Sequence, residues 1–170
     1  MNKKNILSLL VIILISCSVA TSQNLKFGHI NSSELIQQMP QTKIADSTLK
    51  KYGESLDAQL KAMTAEYQTK LQTYQSKADS MPDAIRATRE KELSDLGSRI
   101  QDFQQTAQES IQKKKEELYG PILKKAEDAI KDIAKEKSYS YIFDTSPGVV
   151  LFAQDGDNIM SMVKLKLGIK

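Results

Sequence analysis

Few residues in this chain have both the type and the spacing that chemistry requires. His29 is the only histidine, and no second His, Cys or clustered acidic set accompanies it in sequence, so it reads as a packed strand side chain rather than a ligand or catalyst. Asp155-Gly156-Asp157-Asn158 has the opening of a calcium loop but lacks the twelve-residue ligand series and its closing Glu. Lys113-Lys114-Lys115 offers charge to a phosphate, yet Glu116-Glu117 follows at once and the run reads as a solvated helix face. No nucleophile elbow and no phosphate-binding glycine loop is present, and the seven glycines are dispersed. The remaining candidates are soft apolar side chains: Tyr52, Met63, Tyr67 and Tyr74, at helical spacing. That spacing assigns them first to a helix seam. Tyr and Met also make adaptable contacts with partners of undefined shape, so an exposed edge of the seam is a candidate contact surface.

The elements that would position these residues fall into three regions. Residues 25–30 alternate like a short strand, and Asn31-Ser32-Ser33-Glu34 supplies N-cap candidates for a short helix ended near Pro40. Leu49, Tyr52, Leu56, Leu60, Met63, Tyr67, Leu71, Tyr74, Ala78 and Met81 then advance in nine steps over 32 residues, a mean near 3.56. This is close to the natural helix period, so the stripe stays on one side of a nearly straight helix. A second stripe runs from Leu93 through Leu96, Ile100, Phe103, Ala107 and Ile111 to Leu118, with Lys114 in the intervening slot. Between them Ser80-Met81-Pro82-Asp83 predicts a tip, Ser80 capping the second helix and Asp83 completing a capping box. Two helices of about 35–39 residues, each ~55 Å long, would form an antiparallel hairpin. Gly120-Pro121 is expected to interrupt the return helix. Tyr139–Asp144 and Val149–Ala153 read as two further strands around the turn Thr145-Ser146-Pro147-Gly148, before a last amphipathic helix.

Composition narrows the function classes. No Val occurs between Val19 and Val149, while Gln, Lys, Glu, Ala and Leu crowd the interval, as in long exposed helices. The formal charge is +3, with 24 basic and 21 acidic residues. Residues 1–22 read as an export signal: Lys3 and Lys4, then the ten-residue apolar run Ile6–Ile15, which rises only ~15 Å as a helix, too short to span a bilayer. Removing it takes Lys+Arg from 24 to 22 against 21 acids, a net of +1. Nucleic-acid binding is thereby disfavoured, and the single Cys excludes a disulfide scaffold. Cleavage is expected before Gln23 or before Thr21. Leu14-Ile15-Ser16-Cys17 also resembles a bacterial lipobox, an alternative in which Cys17 becomes a lipid anchor and the protein touches the membrane peripherally.

The domain reading follows: a head of residues 23–40 and 118–170, and an arm of residues 41–117 with its tip near 80–83. The head has about 70 residues, three short strands and open strand edges, so self-association through it is the simplest remedy. Phe27, Ile30, Ile142, Phe143, Val150 and Phe152 are its candidate packing and association residues. The fold class is α+β dominated by helix, a small β-strand head carrying a long protruding antiparallel helical hairpin.

This arrangement resembles the Skp/OmpH family of periplasmic chaperones for outer-membrane proteins. The resemblance covers residues 25–168 and is carried by Lys26-Phe27-Gly28-His29-Ile30-Asn31, Leu35 and Met39-Pro40 at the start. Pro121-Ile122, Ala129-Ile130, Ala134, Tyr139–Asp144 and Gly148 before Val150-Leu151-Phe152 carry it at the end. It implies a homotrimer whose heads join in a barrel-like trimerisation body and whose helical arms enclose an unfolded client without ATP. Tyr52, Met63, Tyr67 and Tyr74 are then client-contact candidates. No cofactor, no nucleic acid and no enzymatic activity is implied. Two features depart from the family pattern. Asn158-Ile159-Met160 stands where an Asp, an apolar residue and Thr are common, and residues 70–95 carry five basic against five acidic side chains. Lipopolysaccharide or phospholipid contacts of strongly basic members therefore do not transfer. A structural or lipid-anchored envelope spacer with a docking arm is the alternative function.

Overall fold

The computed structural model describes residues 25–169; the leader of residues 1–22, with its cleavage sites and Cys17, lies outside the described residues. Strand β1 (Phe27–Ile30) leads into helix α1 (Ser32–Gln38). Asn31 begins that helix, its Oδ1 accepting from the Glu34 amide at 3.0 Å. Pro40 separates α1 from the next helix. A residue before proline is driven out of the α region, and Met39 has ψ 127, while Pro40 itself is preset for the first position of α2 (Pro40–Lys77).

The tip differs from the sequence expectation. The chain closes α2 with a 3-10 turn, Ala78–Ser80, and resumes as α3 (Asp83–Glu136). Ser80 stays in the turn and donates to the Lys77 carbonyl (2.9 Å) instead of capping α3. Pro82 is the N-cap, without a side-chain bond, and its carbonyl accepts from Ile85 and Arg86 at 2.9 and 3.0 Å. A second correction concerns Gly120-Pro121: α3 runs through it unbroken. Proline removes the amide that would bond the Glu117 carbonyl, but Gly120 and Pro121 are exposed, so that carbonyl faces solvent. Just beyond, Ile122, Ala126, Ala129 and Ile133 are buried at helical spacing. Their packing outweighs the local cost of the proline.

Strand β2 (Tyr141–Asp144) pairs with β1 in parallel, Phe27 opposite Tyr141 through Ile30 opposite Asp144. A parallel pair needs a crossover, and here the crossover is the entire run of α1, α2 and α3. The third expected strand does not form: Val149–Ala153 joins no sheet among the described residues. The reason is topological. Asn158 bridges His29, and the Ile159 amide donates to the His29 carbonyl (3.0 Å), on the side of β1 away from β2. The chain must cross from β2 to that opposite edge, so the intervening segment cannot lie along either one.

Asn158 Oδ1 accepts from the Met160 amide (2.9 Å) just before α4 (Met160–Leu167), whose N-cap is Ile159. Gly168 ends α4 at φ 69, a left-handed position that suits glycine. The core forms where α1 and α4 meet the buried face of α3. Ile30, Leu35, Met39, Ile159 and Val163 are sealed there almost completely.

Candidate functional site

The α2 and α3 stripes face each other, the helices running antiparallel. Tyr74 Oη donates to Glu90 Oε1 at 2.5 Å near the tip, Tyr67 lies beside Gly97, and Tyr119 donates to Asp46 near the base. A Cβ at Gly97 would meet the Tyr67 ring at 3.8 Å, so glycine leaves room for the aromatic across the seam. The carboxylate partners push both the Tyr74 and Tyr119 phenols up from their ordinary value, because ionisation would forfeit the donated hydrogen bond.

This seam is shallow. Leu93 and Leu96 are buried, but every member of the α2 stripe from Leu49 to Met81 is only half-buried. Two helices without a third layer cannot cover a stripe this wide. Tyr52, Met63, Tyr67 and Tyr74 therefore each keep an accessible edge, and they do not converge: from Tyr52 to Tyr74 the helix climbs ~33 Å. Met63 lines an open groove of about 530 Å³ with Ala62, Phe103, Arg99 and Asp102. Tyr74 lines one of about 310 Å³ near the tip with Lys70, Met81, Ile85 and Leu93. Phe103 and Ile85 are contributors that contact reasoning from sequence missed. Phe103 sits in the second stripe, whereas Ile85, 49% exposed, lies outside both.

Charge along the helices is consumed locally. Lys61 with Asp57 (2.6 Å), Lys91 with Asp95 (2.7 Å) and Arg89 with Glu92 (2.7 Å) are pairs within one helix, exposed and salt-screened. The Asp57 hydrogen bond holds the Lys61 ammonium above its ordinary value. Such pairs leave apolar edges, not a field, as the candidate contact chemistry of the helix pair.

The six head residues divide between two faces. Ile30 is buried and Ile142 half-buried against the chain's own core. Phe27 and Phe143 lie on the other side with Tyr141, which sequence reasoning had not singled out although it shares their alternation. Phe27 stacks on Tyr141 and Phe143 with ring centroids 5.8 and 6.1 Å apart. All three rings stay 44–58% exposed. Val150 and Phe152 flank Phe27 and Phe143 in a cleft of about 330 Å³. His29 Nε2 lies 3.1 Å from the Gln154 carbonyl, tying β1 to the segment that crosses it. Among the described residues no group of three or more His, Cys, Asp or Glu side chains is placed to hold a metal. Nor is any described helix long and apolar enough to cross a membrane.

A two-strand head carrying an antiparallel helix pair with soft apolar edges defines a protein of OmpH-like architecture. Residues 26–167 match the family Outer membrane protein (OmpH-like), and the chain belongs to that non-catalytic family. It is 26% identical over 142 residues to Chaperone protein Skp of Photorhabdus luminescens, covering 81% of this chain and 82% of the relative. Identity to Chaperone protein Skp of Vibrio cholerae is also 26% over 142 residues, covering 82% and 83%. An OmpH-like crystal structure from Caulobacter crescentus CB15 superposes with a TM-score of 0.74 at 14% identity, covering 84% of this chain and 83% of that one. This last likeness concerns the fold.

Proposed function

We propose that the protein is an ATP-independent holdase of the periplasm that binds unfolded outer-membrane proteins and prevents their aggregation. The observation that carries this reading is the half-buried stripe running along α2 from Leu49 onward, in a chain whose relatives are Skp chaperones. A stripe of this kind offers many weak, shape-tolerant apolar contacts rather than one deep pocket. In this reading residues 41–117 form an arm with its tip near 80–83, and residues 23–40 and 118–170 form the head. Heads associate through Phe27, Phe143, Val150 and Phe152 into a homotrimer, and three arms surround the client. Tyr52, Met63, Tyr67 and Tyr74 touch it. Mass action then suffices: contacts favouring the unfolded state lower its free concentration until folding or transfer withdraws it.

The test is light scattering of a urea-denatured outer-membrane β-barrel protein diluted into buffer without nucleotide. Severalfold excess of the trimer should suppress aggregation, and Tyr52→Ser with Tyr67→Ser should weaken suppression without dissociating the oligomer. Unchanged aggregation at that excess would overturn the holdase reading.

A further inference from the structure

The two grooves along the helix pair open on the same face. The first holds Gln59, Ala62 and Met63 of α2 beside Phe103 of α3, and the second holds Thr73, Tyr74 and Lys77 beside Ile85 and Leu93. Gln59 and Lys77 are 18 residues apart, and so are Ile85 and Phe103. At 3.6 residues per turn that is five whole turns, so the two members of each pair lie on one side of their helix. The first groove is centred near residues 61 and 102, the second near 74 and 90. Twelve or thirteen residues therefore separate the centres on either helix, a rise of ~19 Å.

The lining suits an uncharged occupant. The Thr73 hydroxyl donates to the Thr69 carbonyl and the Thr106 hydroxyl to the Asp102 carbonyl, both at 2.8 Å, so neither needs a bond from a ligand. Beside the second groove Arg89 pairs with Glu92 (2.7 Å) and Lys70 with Glu66 (3.5 Å). Residues 41–117 carry 13 Lys or Arg against 13 Asp or Glu, which leaves no net field to draw a charged segment. A charged side chain entering either groove would lose water to a rim whose charges are already matched. An apolar one loses no hydrogen bond and covers apolar side chains that otherwise face solvent.

The spacing fits an extended chain. A strand rises ~3.3 Å per residue, so ~19 Å is about six residues, and an even step returns the side chain to the same face. Strands of outer-membrane barrels alternate apolar and polar side chains over about ten residues, long enough to present such a pair. We propose that the grooves at Met63–Phe103 and Tyr74–Ile85 hold two apolar side chains, six residues apart, of one extended and locally uncharged client segment lying along the helix pair. The inference rests on the holdase reading above and specifies where, and by which pattern, the client is gripped.

Photocrosslinking tests the face. The crosslinker p-benzoylphenylalanine replaces Ala62, Thr73, Gln68 or Gln75, one per chain; all four are exposed, so the fold tolerates the change. Ala62 and Thr73 line the grooves, whereas Gln68 and Gln75 line neither, and Gln75 lies about 200° round the helix from Thr73. When a urea-denatured outer-membrane β-barrel protein is diluted onto each variant, cross-links from 62 and 73 should exceed those from 68 and 75 severalfold. Equal yields from both faces overturn the proposal. So do cross-links between copies at 62 and 73 without client, which would put a second copy in the grooves. No cross-link at any position while aggregation is still suppressed also overturns it and leaves the holdase reading standing; unsuppressed aggregation defeats both. Blocked, uncharged Thr-Ser peptides test the pattern. A peptide with two Phe six residues apart should displace the client from the 73 cross-link at about tenfold lower concentration than one with them five apart, which seats only one ring. Equal potency, or none from either, overturns the spacing.

Discussion

Asp144 shows what a single carboxylate does at the end of β2. Its Oδ1 accepts from the Ser32 and Ser146 amides at 3.1 and 2.9 Å, and its Oδ2 from their hydroxyls at 2.5 and 2.9 Å. Burial pushes its pKa up, but these four bonds favour the charged form and hold it below the ordinary 3.8. The resulting stability is complete above that value and is lost as pH falls through the lower folded pKa. Asp144→Asn should therefore cost about 1–2 kcal/mol at pH 7, discounted for exposure, and less at an acid pH below the ordinary 3.8, where the carboxylate takes up its proton. Urea titration at the two pH values measures both. The tyrosine clasps titrate in the opposite sense. Tyr74 and Tyr119 have raised pKa values, so their contribution is present below about pH 10 and lost as pH rises through the folded values. Ultraviolet phenolate titration should show a late-ionising fraction that disappears in the Tyr74→Phe, Tyr119→Phe double variant.

Helix α3 raises the question of why 54 residues hold together with a proline inside. Its C-terminal third is fastened to the core by Ile122, Ala126, Ala129 and Ile133, whereas the remainder relies on one shallow seam. Lys166 adds exposed ties across to Glu136 and Asp132, at 2.5 and 3.2 Å. The Gly120-Pro121 pair sits at the boundary between these regimes and contributes no packing there: a Cβ at Gly120 meets nothing within 4 Å. Gly120→Ala should then stabilise by about 0.5–1 kcal/mol, and Pro121→Ala by about 1–3 kcal/mol as the missing hydrogen bond is restored. Thermal unfolding followed at 222 nm checks this. A loss of stability in either variant would mean that Gly120 or Pro121 supports the helix in a way their exposure does not reveal.

At the scale of the whole molecule, one chain exposes more apolar surface in its head than a free monomer ordinarily tolerates. The stacked rings of Phe27, Tyr141 and Phe143 are exposed, Phe152 flanks Phe27 and Phe143 in one cleft, and Val149 and Leu151 of the same segment are exposed as well. Together they present on the order of 800 Å², which matches one partner's share of a standard interface. Phe152→Glu should leave the fold of the single chain intact, since the side chain is 82% exposed, yet reduce the sedimentation coefficient by dispersing the proposed oligomer. An unchanged coefficient would remove Phe152 from the interface.

The helix pair was legible in the sequence because periodicity is a local property: a step near 3.56 repeated nine times defines a face whatever lies beside it. The first strand, the Asn31 cap and the Met39-Pro40 boundary were legible for the same reason, each depending on a few neighbouring residues. The candidate contact residues were visible as a stripe, but not how far the seam would cover them. That depends on the number of layers, and two helices supply only one partner face. Tertiary structure alone decided that Gly120-Pro121 lies within a continuous helix, because burial of residues a turn or more away outweighs a local preference. It alone decided that β1 and β2 are parallel neighbours across more than 100 residues of intervening chain. It also left Val149–Ala153 outside the sheet: sequence marks which residues favour a strand, but pairing requires an edge, and chain connectivity determines where an edge is open.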